Sequence, residues 1–356
     1  MQVCMVSVKP QFNWKTVFLP AVGIAAFIAY LYLFQVDIPE IINAVQSTDM
    51  RIYLLAAFLI FIDTFLYAMA WRYLLSFLSV KLSVVKAYLY VWYGTFMDII
   101  IPAESVSGEI SRIYLVTRDY GNDISGKVVA SLITHRLISM GVGVATLLAG
   151  MSMLIAETQV NSLVFNLTLF LIAATLFFLA LIILLCVKGK WTLKIIDWII
   201  RLVGRLSGEK WKPTKIREEA VKLAGMFHHS MSEYRRSPGV VAFSVSLSSL
   251  SWISYILISY LVFLAIGYPQ VPWSVILTTQ GIVTAVKSIP MGVPFEIGLP
   301  EITMTTLYGV LGIPWGISAT STILSRILTL WVRFFIGFAV QQWFEIRSLK
   351  GNTKHN

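Results

Sequence analysis

Long apolar stretches alternate with short polar segments along the 356 residues of the chain. Clear examples are residues 17–34, 163–187 and 240–266. An α-helix rises about 1.5 Å per residue, so each stretch is long enough to cross a hydrocarbon layer of roughly 30 Å. The short alternating segments typical of a membrane β-barrel are absent from the sequence. The pattern therefore predicts an all-α polytopic membrane protein.

Six full transmembrane helices are predicted, with approximate ranges 16–36, 51–77, 125–156, 162–187, 238–266 and 316–343. The first is expected to be retained, because it has full spanning length and no convincing signal-peptide cleavage site. Lysine and arginine concentrate in cytoplasmic loops, and this rule orients the helices. It predicts a multi-pass protein of the plasma membrane, with both termini in the cytoplasm and residues 267–271 outside.

Two further apolar segments, 87–117 and 272–313, are interrupted by prolines and acidic residues. The interruptions read DIIIPAESVSGEISR and SIPMGVPFEIGLPE. By the charge rule each segment begins and ends on one side of the membrane. We therefore expect two re-entrant hairpins that enter from opposite faces, as in an inverted repeat. Continuous helices in their place would give eight spans.

The prolines indicate where the hairpins turn. We expect non-helical backbone at Pro102 and between Pro290 and Pro300, flanked by short half-helices. Pro300 and Glu301 suit the first turn of a returning helix, where a missing N–H is harmless and a carboxylate meets the positive dipole end. Irregular backbone at membrane depth is tolerated where it is buried in protein or lines a wet cavity. Paired breaks of this kind indicate the midplane site of a transporter.

A basic segment divides the predicted single membrane domain, residues 1–356, into two halves. Residues 1–187 and 238–346 each contain one hairpin, and residues 188–237 lie between them. Much of the formal net charge of +10 lies in this segment, which indicates a cytoplasmic loop first and contact with anionic lipid second. An amphipathic helix on the inner membrane surface is predicted there by the helical spacing of Trp191, Ile195, Trp198, Ile199 and Leu202.

The composition limits the chemistry that the chain can perform. It is 57% hydrophobic and 13% charged, and its two cysteines, Cys4 and Cys186, cannot form a disulfide framework. The sequence lacks metal-ligand spacing, a nucleotide-binding glycine loop and a nucleophile elbow. We therefore expect no metal or cofactor, no nucleic-acid partner, and a transporter rather than an enzyme.

Ionisable residues at membrane depth are the candidate functional residues, because each costs about 2.5–3.5 kcal/mol to insert. The predicted spans and hairpins contain Asp63, Asp98, Glu104, Glu109, Arg112, His135, Arg136, Lys287, Glu296, Glu301, Arg326 and Arg333. Arginine is the most informative of these, because it cannot escape its cost by losing a proton.

Structural roles are the alternative for several of these residues. In this alternative, the role of Glu109 and Glu301 is to complement the positive N-termini of their helices, and neither residue contacts a ligand. Arg112 could pair with Glu109 one turn away on the same helix. Asp63 could be the structural partner of a buried arginine.

Three segments of the sequence resemble a known family of membrane proteins. SGEISRIYLVTRDYGNDISGKVVASLITHRL is similar to the Gly-Glu-x-x-Arg segment and following Glu-Arg pair of the lysylphosphatidylglycerol synthase membrane-domain family, also called flippase-like or UPF0104 proteins. PFEIGLPEITMTTLYGVLGIP resembles its Pro-Gly-Gly-x-Gly-x-x-Glu segment, and SRILTLW resembles its Arg-x-x-x-x-Trp element. The matching positions are Gly108, Glu109, Arg112, Arg136, Pro294, Gly298, Glu301, Arg326 and Trp331.

The chain departs from the family pattern at three positions. His135 stands where the family has glutamate, and Phe295 and Glu296 stand where it has two glycines. The substrate could therefore differ from an aminoacylated glycerophospholipid. We expect this chain to correspond to the membrane part of the bifunctional synthases, without a counterpart of their soluble aminoacyl-transferase domain.

The resemblance implies translocation of a lipid between leaflets. The hypothesis is a flippase for a phosphate-containing lipid that is aminoacylated, glycosylated or polyprenyl-linked, acting alone or as a homo-oligomer. Arg112, Arg136 and Arg326 would hold the phosphate, because guanidinium groups match phosphate oxygens bidentately. The residues that would handle amines, hydroxyls or a coupling proton are Glu104, Glu109, Glu296 and Glu301, with His135 in the same candidate site.

Two other functions stay open from the sequence. One is an integral-membrane glycosyl or phosphoryl transferase, for which Glu104 with Glu109 is the candidate carboxylate pair. The other is an ion-coupled transporter of a water-soluble substrate.

Overall fold

A computed structural model of the protein describes residues 39, 43, 45–101, 106–157, 162–207, 213–287 and 298–352. Every regular element within these ranges is helical, which confirms the predicted all-α polytopic class. The α-helices in chain order are α1 (Met50–Phe77), α2 (Val84–Ile100), α3 (Val106–Tyr120), α4 (Ser125–Glu157), α5 (Ser162–Val187), α6 (Gly189–Ser207), α7 (Pro213–Arg236), α8 (Pro238–Ala265), α9 (Trp273–Lys287), α10 (Leu299–Val310), α11 (Trp315–Arg326) and α12 (Arg333–Asn352). A 3-10 turn at Asn122–Ile124 precedes α4, and a π-helical segment at Ile327–Val332 joins α11 to α12.

Five helical stretches among the described residues are long and apolar enough to cross a membrane. They are α1, α4 with its preceding 3-10 turn, α5, α8, and the continuous run Trp315–Ile346. Each agrees within a few residues with a span predicted from the apolar pattern. The first predicted span, 16–36, lies outside the described residues.

Two pairs of shorter helices occupy the positions of the predicted hairpins. Helices α2 and α3 contain 17 and 15 residues, and α9 and α10 contain 15 and 12. At about 1.5 Å per residue even the longest extends roughly 25 Å, which is less than a full hydrocarbon layer. The members of each pair contact each other. The expected turns at Pro102 and after Pro290 lie outside the described residues, whereas Pro300 and Glu301 do lie in the first turn of α10, as predicted.

Two glycines bring α2 and α3 close together. A Cβ atom added to Gly108 would lie 2.5 Å from the carbonyl oxygen of Gly94 and would also collide with the carboxylate of Asp98. That carboxylate caps α3, because it accepts hydrogen bonds from Gly108 N at 2.7 Å and from Ser107 Oγ at 2.9 Å. The first helix pair is therefore held by a close backbone approach and a partly buried cap.

Two hydrophobic clusters form most of the core. One joins residues of α1, α4, α5, α8, α9 and α10, includes Trp92 of α2 and extends to α11. The other joins the C-terminal half of α1 to α2, α3 and α4 and includes Phe344 of α12. Helices α1 and α8 form the most extensive contact between elements, so they are the central support for the helix pairs.

The basic segment after α5 folds as two helices rather than one. Helix α6 begins two residues after α5 ends, and Asp197 of α6 forms a 2.7 Å ion pair with Arg217 of α7. Trp191, Ile195 and Trp198 of α6 are exposed. Their positions repeat every three or four residues, so they share one face of the helix, away from the Asp197 side that meets α7. Helix α7 in turn contacts α4, and it was not expected from the apolar pattern.

Candidate functional site

The candidate residues that the structure describes fall into two groups according to their contacts. Glu109 and Arg112 lie on α3 and are next to His135 and Arg136 of α4. Glu301 lies on α10 and contacts Arg326 at the end of α11. The two remaining candidates, Glu104 and Glu296, lie outside the described residues.

Arg112 is buried, and no carboxylate among the described residues forms an ion pair with it. Its guanidinium carbon lies 5.7 Å from the ring centre of Tyr67 and 5.4 Å from that of Trp71, both on α1. Its Nε donates to the carbonyl oxygen of Gly108 at 3.3 Å, while its Nη1 has no hydrogen-bond partner among the described residues. Aromatic faces stabilise a cation, but they do not supply the acceptor oxygens that a guanidinium needs.

The position of Arg112 depends on the close approach of α2 and α3. A Cβ atom at Gly94 would lie 3.4 Å from both Cγ and Nε of Arg112. The absence of a side chain at Gly94 therefore allows the Arg112 side chain to pack against α2. On the opposite side, the indole N–H of Trp71 donates to Ser131 Oγ at 3.1 Å, which fixes that ring. The guanidinium is therefore held between three helices, and its Nη1 lacks a hydrogen-bond partner among the described residues.

Arg136 has a partner, unlike Arg112. Its Nη1 lies 3.1 Å from Glu109 Oε1, and both side chains are partly exposed. Glu109 lies in the first turn of α3. It therefore pairs with Arg136 of α4 rather than with Arg112, which lies one turn away on its own helix. The neighbouring residue, His135, is fully buried, its ring centre lies 4.4 Å from that of Tyr67, and its Nε2 has no partner among the described residues.

The second group centres on a buried ion pair. Arg326 Nε lies 2.5 Å from Glu301 Oε1, and both side chains are more than nine-tenths buried. The other carboxylate oxygen of Glu301 accepts a hydrogen bond from Gly298 N at 2.7 Å. Gly298 has a φ of +101°, a conformation that glycine adopts without strain. Glu301 therefore both caps α10 and neutralises Arg326.

A small cavity lies beside this ion pair. Its volume is about 10 Å³, enough for roughly one water molecule. The residues that line it come from α8, α9, α10, α11 and the π-helical segment, and they are Tyr255, Ser259, Gln280, Val283, Met304, Ser325, Arg326 and Thr329. Arg112 and Arg136 do not line it, so the expected convergence of all three arginines on one cavity is not seen in this closed arrangement.

A third ion pair, between Asp63 of α1 and Arg333 of α12, lies near the second group. Neither of these two residues was included in the candidate site from the sequence. Asp63 of α1 accepts hydrogen bonds from Ser251 Oγ of α8, at 2.6 Å, and from Arg333 of α12. The Arg333 guanidinium lies 5.8 Å from the ring centre of Tyr255, which also lines the cavity. Arg326 and Arg333 flank the π-helical segment, so one widened helical turn separates the two pairs.

Sequence reasoning missed Tyr255 and Gln280. Both place a polar group in an otherwise apolar helix: Gln280 is buried and Tyr255 is partly buried, and Tyr255 follows Ser251 by one turn. That spacing was the available signal. Within the described ranges, no group of three or more His, Cys, Asp or Glu residues is arranged to hold a metal ion.

Comparison with known proteins gives one family and several relatives. Residues 19–337 match the family model described as lysylphosphatidylglycerol synthase TM region. A UPF0104 membrane protein of Pyrococcus horikoshii is 21% identical over 317 residues, which cover 88% of this chain and 93% of the relative. A UPF0104 membrane protein of Methanothermobacter thermautotrophicus is 23% identical over 341 residues, which cover 93% and 96%. A third, from Methanocaldococcus jannaschii, is 21% identical over 318 residues, which cover 88% and 90%.

Proposed function

Because the chain belongs to the lysylphosphatidylglycerol synthase TM family, whose name indicates a function related to membrane lipids, we propose that it is a lipid transporter. It moves a phosphate-bearing lipid between the leaflets, and Arg112 binds the phosphate. The observation that carries the proposal is the buried guanidinium of Arg112, which forms no ion pair and whose Nη1 has no hydrogen-bond partner among the described residues. The protein acts as a transporter rather than as an enzyme, and its partner is a membrane lipid.

The electrostatics of the first group favour an anionic ligand. A buried cation is costly unless an anion compensates it, and arginine cannot become neutral. Tyr67 and Trp71 supply only part of that compensation through their ring faces. A phosphate would supply both a negative charge and an acceptor oxygen for Nη1 of the guanidinium.

Arg136 and Arg326 have a different role in this proposal. Each already has a carboxylate partner, so neither adds a free positive charge in the closed arrangement. They would bind phosphate only if Glu109 or Glu301 moved away. Both glutamates lie in the first turns of the short helices α3 and α10, so a movement of either helix pair would exchange protein carboxylate for lipid phosphate.

The closed arrangement does not admit a headgroup at the second group. A cavity of about 10 Å³ holds one water molecule and no phosphate. Transport therefore requires α9 and α10 to separate from α8 and α11. We propose that the two short helix pairs are re-entrant hairpins and that they are the moving parts, while α1 and α8 stay together as the support.

A reconstitution assay tests the proposal. Purified protein is placed in proteoliposomes with fluorescent phosphatidylglycerol, and lipid reaching the outer leaflet is bleached by dithionite. We expect Arg112→Ala to lower the transport rate at least tenfold, because the phosphate loses its charged partner. The transport rate of Arg112→Lys should lie between those of the unmodified protein and Arg112→Ala, because lysine keeps the charge but loses the planar guanidinium.

Arg118→Ala is the matched control, because Arg118 lies two turns further along α3 at the exposed end. Its transport rate should equal that of the unmodified protein. Correct folding of each variant is checked by its elution volume and melting temperature. Unchanged transport by a folded Arg112→Ala protein would overturn the proposal, and so would the absence of transport by the unmodified protein.

A further inference from the structure

The cavity beside Arg326 differs chemically from the surroundings of Arg112. Its lining contains the hydroxyl groups of Tyr255, Ser259, Ser325 and Thr329, and the side-chain amide of Gln280. Its one cationic group, Arg326, is neutralised at 2.5 Å by Glu301. The site therefore has many hydrogen-bonding groups and no net charge. A phosphate would bring an uncompensated negative charge into it, so the site suits an uncharged polar group.

The amide of Gln280 shows what kind of group is missing. Its Nε2 donates to the hydroxyl oxygen of Tyr308 at 3.0 Å, whereas its Oε1 is buried without a partner among the described residues. Rotating the amide by half a turn would pair the oxygen with Tyr308 and leave the nitrogen unpaired instead. One polar atom therefore lacks a partner in either orientation. A hydroxyl group satisfies both cases, because it donates and accepts.

The size of the cavity points to the same group. A volume of about 10 Å³ accommodates one oxygen atom with its hydrogen, either as water or as the end of an alcohol. We propose that this cavity is a hydroxyl-binding pocket, in which Gln280 and Tyr255 recognise a hydroxyl of the transported lipid's headgroup. The assignment rests on the proposed lipid-transport function and specifies its substrate as a phospholipid with a free alcohol in the headgroup.

The pocket has a definite position relative to the moving parts. Gln280 lies on α9 and Met304 on α10, so both members of the second helix pair line it, while Tyr255 and Ser259 lie on the supporting helix α8. When the helices are closed, the pocket has room for about one water molecule. A headgroup hydroxyl replaces this water when the helix pair opens.

Two lipids that differ only in their hydroxyl groups test the inference. Phosphatidylglycerol and phosphatidylpropanol carry the same charge and three headgroup carbons, but only the first has free hydroxyls. The purified protein is incubated with an equimolar mixture, and native mass spectrometry gives the ratio of the two bound lipids. We expect the unmodified protein to favour phosphatidylglycerol about fivefold, the effect of one neutral hydrogen bond.

Gln280→Leu and Tyr255→Phe should bring this ratio close to one and leave the total amount of bound lipid nearly unchanged. Tyr255→Phe removes the hydroxyl but keeps the aromatic ring that contacts Arg333, so we expect this variant to fold. If Gln280→Leu does not fold, the lipid ratio of Tyr255→Phe is the deciding measurement. Ser246→Ala is the control, because Ser246 lies on the same helix, α8, but is exposed. Its ratio should match that of the unmodified protein.

The outcomes separate this inference from the function on which it rests. Equal binding of the two lipids by the unmodified protein means that the cavity holds water only, and it overturns the pocket. A fivefold preference that survives in both pocket variants also overturns it. Arg112→Ala should reduce the binding of both lipids to the same extent, and normal binding of both by that variant would overturn the phosphate role of Arg112 instead.

Discussion

Arg326 and Arg136 each form an ion pair with a glutamate, but only the Arg326–Glu301 pair is buried. Arg326→Ala would leave Glu301 charged and buried, and loss of one partner of a buried pair costs about 3–5 kcal/mol. Glu109 and Arg136 are partly exposed, so we expect Arg136→Ala to cost about 1 kcal/mol or less. Melting temperatures in one detergent should show the larger fall for Arg326→Ala.

A double variant distinguishes charge from packing in this prediction. Arg326→Met combined with Glu301→Leu removes both charges and keeps most of the side-chain volume. It should be more stable than either single variant, because no buried charge is left without a partner. A double variant as unstable as Arg326→Ala would show that the pair matters through the cap that Glu301 forms on α10 rather than through its charge.

Charged residues at depth could be identified from the sequence, but their partners could not. Burial cost singles out Arg136 and Arg326 because each lies within an otherwise apolar stretch, and it singles out Arg112 because the polar interruption that contains it lies within a predicted hairpin. Which carboxylate each one meets depends on how α3, α4, α10 and α11 approach one another, and no spacing along the chain contains that information. A structural pairing of Asp63 with an arginine was one of the alternatives, and its partner is Arg333, which is partly buried.

Among the elements, the α2–α3 pair depends on a glycine in each helix. We expect Gly108→Ala to push the helices apart, since its Cβ would collide with Asp98 and with the Gly94 carbonyl oxygen. The displaced α3 would carry Arg112 away from Tyr67 and Trp71. Both the melting temperature and phosphatidylglycerol binding should therefore fall.

Gly141→Ala on α4 is the control for this change, because a Cβ there would meet no atom within 4 Å. Alanine favours a helix over glycine, so this variant should be as stable as the unmodified protein or slightly more stable. Equal behaviour of the Gly108 and Gly141 variants would contradict the close approach of α2 and α3.

Helix existence followed from the apolar pattern wherever a helix meets lipid along its length. The five described spans were predicted for this reason. Helix α7 was not predicted, because its sequence is polar. It packs closely against α4, since a Cβ at Gly126 of α4 would collide with Met226 of α7. The π-helical turn at Ile327–Val332 was not foreseen either, since its residues are as apolar as those of an ordinary helix.

For the whole molecule, the orientation in the membrane is still a prediction from the distribution of lysine and arginine. Single cysteines at Gln270 and Ser207, in a background without Cys4 and Cys186, test it with an impermeant maleimide. Position 270 should be labelled in intact cells, and position 207 only after the cells are permeabilised. Labelling of position 207 from outside would reverse the proposed topology and place both termini outside.

Helix α5 has the highest mean hydropathy of the five spans, 3.1, and only 11% of its most apolar window is buried in the protein. Its outward positions are therefore constrained by solubility in lipid and hardly at all by shape. Over evolutionary time, Leu, Ile, Phe and Val should replace one another freely there, while the inward positions Val164, Thr168 and Leu171 drift slowly. Alignments of relatives should thus show α5 as a segment with little identity and nearly constant hydropathy, and low identity there would not indicate a lost function.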